Sequence, residues 1–243
     1  MDLLAREVPR LVREIRLRAG RRFRRDRAGR VWTARVMRDS VGTGGVPFVL
    51  PYRSRRPRRP RVVVMVDVSW SVMRASSLFL MMAREFLAAN RRASIHFFVD
   101  RCVDATAAIR RWNDESPAPS FERLVGSLKD LDPMAPSDYG RAFYQAAHAR
   151  PHSALGPVPA AGRDTILVVL GDARSNNKDP QAWAFEDLAS RARRVIWLNP
   201  EPAARWDSGD SVLSDYLPSC DIVCEARDLD GIARGMTEIA RSL

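Results

Sequence analysis

Cysteine, histidine and lysine are all scarce in these 243 residues, and each scarcity closes a route. Cys102, Cys220 and Cys224 make an odd count with no CxxC pair, so neither a disulfide framework nor a structural zinc site is indicated. They read as reduced thiols in a core. Of the three histidines, His148 and His152 are four apart, but Pro151 would break the helix that aligns them as a metal pair. His96, inside "SIHFFV", reads as a sheet histidine with its hydrogen bonds satisfied. Lys129 and Lys178 are the only lysines, and neither sits in a GxxxxGK[ST] phosphate loop; GxSxG is absent as well. The longest apolar runs, such as "LFLMM" and "TILVVL", fall far short of the roughly 20 residues of a membrane span. "MDLLAREVPRLVREIR" is too charged for a signal peptide, so the expectation is a cytoplasmic protein.

Positive charge is plentiful but uneven. Residues 1–61 hold nineteen arginines against five acids (Asp2, Glu7, Glu14, Asp26 and Asp39), a balance of +14. The chain total of +11 therefore leaves −3 for the rest. Basicity belongs to an N-terminal extension, residues 1–60, ahead of one α/β domain, residues 61–243. In the extension, Leu4, Val8, Leu11 and Ile15 recur at helical spacing, an amphipathic helix with basic flanks. "VWTARVMRDSVGTGGVPFVLPY" alternates around Gly42, Gly44 and Gly45 and predicts a hairpin or two short strands. "RSRRPRRPR", spaced by prolines, is a linker with Arg55, Arg56, Arg58 and Arg59 as candidate partner-binding residues. For the Arg-rich extension as a whole the leading reading is an electrostatic docking strip, ahead of a solvated tail and of a nucleic-acid contact. With only Phe23 and Trp32 interleaved, a stacking platform for single strands is disfavoured.

From Arg61 onward, apolar runs alternate with helical patterns, which predicts a doubly wound, mostly parallel sheet with helices on both faces. Strands are expected at 62–66, 94–99, 165–170 and 195–198, with an edge strand at 103–108 and a last one near 221–224. Helices are expected at 73–90, 121–129, 139–148, 182–193 and 229–242. "WNDESPAP", with Asp114 and Glu115, reads as a solvated loop.

In such sheets ligands sit beyond the carboxyl ends of the strands. Three polar clusters fall there: "DVSWS", "PSDYG" and "GDARS". Together they offer the carboxylates of Asp67 and Asp172 and the hydroxyls of Ser69, Ser71 and Ser137, a hard oxygen set suited to Mg²⁺, with Mn²⁺ also accepted. Asp138 is an alternative ligand if the loop register differs by one. DxSxS alone is weak, since Asp and Ser also cap helices; the two further clusters strengthen it. Hydroxyl ligands leave an ion underneutralised and attractive to a partner's Asp or Glu. Trp70, between the serines, is expected to be exposed and to face the partner.

The DxSxS after a buried strand, the hydroxyl in a later loop and the Asp after a further strand resemble the metal-ion-dependent adhesion site (MIDAS) of a von Willebrand factor A (VWA) domain. The resemblance covers residues 61–243. Within that superfamily, "GGVPFVLPYRSRRPRRPR", "DVSWSVM" and above all "RRVIWLNP" look like the CoxE-like group, partners of MoxR-type AAA+ ATPases. Departures from the usual pattern are Trp70 for a Gly, "PSD" for "GGT" with Ser137 in place of Thr, and "GDA" for "SDG"; each keeps an oxygen ligand. The resemblance implies a non-enzymatic adaptor that holds Mg²⁺, captures a client carboxylate and works with a MoxR-type ATPase. The client would be a metalloenzyme under maturation, such as a molybdenum hydroxylase of the CO dehydrogenase kind. The alternative is a nucleic-acid-binding module using the basic extension; a Mg²⁺-dependent phosphohydrolase is the third reading.

Overall fold

The computed structural model describes residues 30–53, 61–72, 87, 92–114, 121–148 and 161–242. The expected amphipathic helix over residues 4–15, the basic linker with Arg55, Arg56, Arg58 and Arg59, His152 and Glu115 lie outside the described residues. So does the expected helix 73–90 apart from Leu87, which is helical and buried.

Strands β1 (Arg30–Val31) and β2 (Tyr52–Arg53) pair antiparallel as a separate two-stranded sheet. Between them runs helix α1 (Thr33–Ser40), where the alternation of "VWTARVMRDS" predicts strand. Local contacts explain the difference: Arg35 sits over the Trp32 ring and pairs with Asp39 four residues on, one helical turn away. The left-handed Gly44 and Gly45 then stop the helix, with the Gly45 amide bonding back to the Ser40 carbonyl.

The main sheet has strands β3 (Arg61–Asp67), β4 (Ser94–Phe98), β5 (Cys102–Asp104), β6 (Thr165–Leu170), β7 (Arg194–Asn199) and β8 (Ile222–Glu225) in the order β5-β4-β3-β6-β7-β8. All neighbours are parallel except β5 with β4. Helices α2 (Thr106–Asp114), α3 (Phe121–Gly126), α4 (Tyr139–His148), α5 (Ala182–Arg191), α6 (Leu213–Tyr216) and α7 (Leu229–Ser242) complete the described fold. Among the described residues no helix is long and apolar enough to cross a membrane.

The strands read as unbroken apolar runs because both faces are covered. Val62, Val64 and Val66 point to one side, where they pack with Ile109 of α2, Leu124 of α3 and Ile232 of α7. Val63 and Met65 point to the other, toward Phe143 of α4, Phe185 of α5 and Tyr216 of α6. The period of two along a strand makes this division.

Two expectations are corrected at the β5 edge. Cys102–Asp104 is strand, but residues 106–108 begin α2, and Asp114 ends that helix rather than lying in a loop. Asp104 turns the chain by accepting the Thr106 amide at 2.8 Å, and the Thr106 hydroxyl meets the backbone of Ile95. Ala105, Ile109 and Trp112 are buried at helical spacing, a pattern masked in the sequence by the apolar alternation just before it.

Counted along the chain within the sheet, the order is third, second, first, fourth, fifth, sixth. The reversal falls between β3 and β6, where a doubly wound sheet opens a crevice beyond its carboxyl ends. Asp67 closes β3, and Asp172 lies two residues past β6.

Candidate metal centre

Fold topology alone therefore brings together residues 105 positions apart. Asp67 is fully buried and Asp172 nearly so. Each carboxylate is held by one backbone amide and at least one hydroxyl. Asp67 Oδ1 accepts the Ser69 amide at 2.8 Å, and Oδ2 accepts the Tyr139 hydroxyl at 2.5 Å. Asp172 Oδ1 accepts the Arg174 amide at 3.0 Å, and Oδ2 accepts the Ser71 hydroxyl at 3.1 Å. Ser69 Oγ and Ser71 Oγ are 3.2 Å apart, and Tyr139 Oη lies 3.4 Å from Asp172 Oδ1. The Ser69 side chain also bonds Asp67, which closes a ring of oxygens.

Carboxylates this dry, sharing one phenol, have their proton affinity raised. Burial first, then the charge of Asp67, pushes the Asp172 carboxyl up to about 7. Burial also raises Asp67, against the hydrogen bonds it accepts. The Tyr139 phenol is raised well above its ordinary range by burial and by the two acids beside it. A positive charge placed beside such a pair would relieve the repulsion that the raised carboxyls report. Among the described residues no three His, Cys, Asp or Glu side chains come together, so an ion here would draw on hydroxyls as well as the two acids. That donor set fits a hard divalent cation.

The other predicted residues are placed as follows. Ser69 is buried and Ser71 exposed, so the ring opens to solvent at Ser71. Trp70 stands 69% exposed beside it, as expected for a rim residue. Ser137 is buried and tied to the β6 loop through its carbonyl, which accepts the Asn176 side-chain amide at 3.3 Å. Asp138 is engaged as the cap of α4: its carboxylate accepts the Arg141 amide at 2.9 Å and pairs with Lys178 at 3.5 Å. His148 lies apart, stacked on Tyr144. His96 is only half satisfied: Nε2 meets Ser94 Oγ at 3.1 Å while buried Nδ1 has no hydrogen-bond partner among the described residues.

Sequence reading missed the supports. Tyr139 was visible only as the first residue of a helix, although it follows Ser137 and Asp138 directly. Trp197 and Asn199, within "RRVIWLNP", reach under the β6 loop: the indole donates to the Gly171 carbonyl at 2.9 Å and the Asn199 amide approaches the Asp172 carbonyl at 3.5 Å. Ser211 Oγ donates to the same carbonyl at 3.3 Å. Arg174 clasps Glu201 and Asp210, each at 2.8 Å, joining the loops that follow β6 and β7. No sequence spacing announces these contacts, since each spans more than 25 residues.

A comparison with curated protein sequences gives no match. Among solved structures, proximal thread matrix protein 1 from the mussel byssus, with a zinc-occupied MIDAS motif, is similar at 14% identity over 76% of this chain and 46% of its own, with a TM-score of 0.41. The PilB minor pilin from Streptococcus sanguinis is similar at 10% identity over 79% of this chain and 63% of its own, with a TM-score of 0.45. The chain thus spans about half to three fifths of the length of these proteins. The family model for VWA domain containing CoxE-like proteins matches residues 4–232, and this chain belongs to that family.

Proposed function

We propose that this protein is a non-enzymatic adaptor that captures a partner's Asp or Glu through a divalent ion. The observation that carries the reading is the ring of Asp67, Ser69, Ser71 and Asp172 at the sheet's switch point, buried on three members and open at Ser71. Asp67, Ser69, Ser71, Ser137 and Asp172 would hold Mg²⁺, or Mn²⁺ in the same set. When bound, the ion would supply an electrophilic point whose charge is balanced by no more than two carboxylates. The serines contribute neutral oxygens, so an incoming acid would be only the third anionic ligand and would meet no further negative charge in the shell. Trp70 offers an apolar contact at the rim, of the kind that anchors interfaces.

The division of labour we propose sets residues 1–60 as a basic extension, with Arg55, Arg56, Arg58 and Arg59 docking an acidic surface, and residues 61–243 as the VWA domain. Family membership supports a role in protein interaction. The finer reading follows the resemblance: the partner is a MoxR-type AAA+ ATPase, the client a metalloenzyme under maturation such as a molybdenum hydroxylase, and the setting the cytoplasm.

Affinity capture from the native host, with Mg²⁺ and with chelator, tests this. The expected result is an AAA+ ATPase or client that is retained with Mg²⁺ and lost both with chelator and in Asp67→Ala. Capture that survives in chelator and in the variant would remove the ion from the mechanism.

A further inference from the structure

We infer that Tyr139 is a positioning residue of this metal centre: its hydroxyl, lodged between Asp67 and Asp172 in a space that glycine at 171 leaves open, fixes the Asp67 carboxylate where an ion needs it. This rests on the metal reading above and goes beyond it, because it assigns a role to a residue outside the DxSxS, Ser137 and Asp172 set.

The hydroxyl carries one proton, and its 2.5 Å approach to Asp67 Oδ2 shows where that proton is directed. Its lone pair accepts the Ala173 amide at 3.1 Å. With Ser69 donating to Oδ1, Asp67 is pinned at both oxygens and cannot rotate about its last torsion without breaking a buried hydrogen bond. Tyr139 itself cannot move: its ring is fully buried, edge-on to Phe98 at 5.0 Å and stacked on Trp197 at 6.1 Å.

Packing alone does not explain the phenol. A phenylalanine would fill the same space among Phe98, Phe143 and Trp197 without burying a hydroxyl, which is costly unless it is bonded. The surroundings, in contrast, accommodate the oxygen. A Cβ at Gly171 would lie 2.2 Å from Tyr139 Oη and 3.0 Å from Asp67 Cβ, so any other residue there would displace the phenol. Ala173 is buried in a left-handed conformation (φ 60°), one that costs a non-glycine residue roughly 1 kcal/mol or more, and its amide meets the phenol oxygen.

The test uses the full-length protein. Tyr139→Phe should keep the aromatic near-ultraviolet dichroism of the core while Mn²⁺ affinity, read by calorimetry or paramagnetic resonance, falls by about 10- to 100-fold, the usual effect of losing a group that orients a ligand. Gly171→Ala should lower affinity in the same direction. In otherwise wild-type protein carrying meta-fluorotyrosine at position 139, saturating Mg²⁺ should shift that fluorine resonance, a change that a residue serving only to pack would not show. Wild-type affinity in a folded Tyr139→Phe, or a resonance that Mg²⁺ leaves in place, overturns the inference and spares the metal reading. A wild-type protein that binds neither Mg²⁺ nor Mn²⁺ overturns both.

Discussion

Asp67 and Asp172 are two carboxyls out of water and within reach of the same phenol, an arrangement that costs the metal-free protein stability once both are ionised, above about pH 7. Asp172→Asn keeps the acceptor for the Arg174 amide and removes one charge. In chelator at about pH 8, where wild-type Asp172 is ionised, it should therefore melt several degrees above wild type, whereas Mg²⁺ should raise the melting temperature of wild type alone; the two thermal scans check both halves. Trp70 makes the opposite case. Its exposure predicts that Trp70→Ala changes stability by less than about 0.5 kcal/mol, yet weakens Mg²⁺-dependent capture by tenfold or more, measured on the isolated partner. His96 supplies a pH dependence. Burial holds its imidazole down to about 4, against the pull of Asp104 across the β4–β5 pair. The unfolded chain takes up this proton near 6.5 while the folded one refuses it, so the stability is present above about 6.5 and is lost as pH falls toward about 4. The expected loss is on the order of 3 kcal/mol. Denaturant melts of wild type and His96→Gln at about pH 7.5 and about pH 4.5 isolate it; a stability difference unchanged between the two would refute the assignment.

The loop after β6 is unusual in its backbone. Ala173, Asn176, Asn177 and, at the start of α5, Gln181 all have positive φ without being glycine, a concentration of strain next to Asp172. Arg174 holds this loop by reaching Glu201 and Asp210, with its side chain 22% exposed. Arg174→Met should cost about 1–3 kcal/mol by leaving two half-buried acids unpaired. It should also speed amide exchange in residues 173–181 and 201–212 ahead of the sheet. Exchange that quickens uniformly over β3, β6 and β7 would mean that the clasp supports the whole domain instead. At this scale strands were the most legible elements. β6 has the bounds its apolar run predicts, and β3 and β7 extend theirs by one or two residues. The helix α1 was not legible, because none of its apolar residues is fully buried: Met37 faces solvent and Val36 is only half-buried, so their spacing records no buried face.

Across the whole molecule, charge and site are separated along the sequence. The +14 of residues 1–61 precedes a net −3 over residues 62–243, so partner binding should divide into two components. Replacing Arg55, Arg56, Arg58 and Arg59 with Gln should weaken capture most at low salt, while chelation should weaken it at all salt concentrations. Equal salt dependence in wild type and variant would take the linker out of the interface. What the sequence by itself determined is the doubly wound sheet and five oxygen-bearing residues at its carboxyl edge, because strand period, apolar runs and short motifs are local and one-dimensional. What only the tertiary structure decided is how those residues are used. Tyr139 joins Asp67 to Asp172, Gly171 leaves room for it, Trp197 and Asn199 brace the loop from below, and Asp138 is committed to capping a helix. Each of those roles apart from the cap depends on contacts between segments distant in the chain, and side-chain packing sets them to within an ångström only once the sheet has formed.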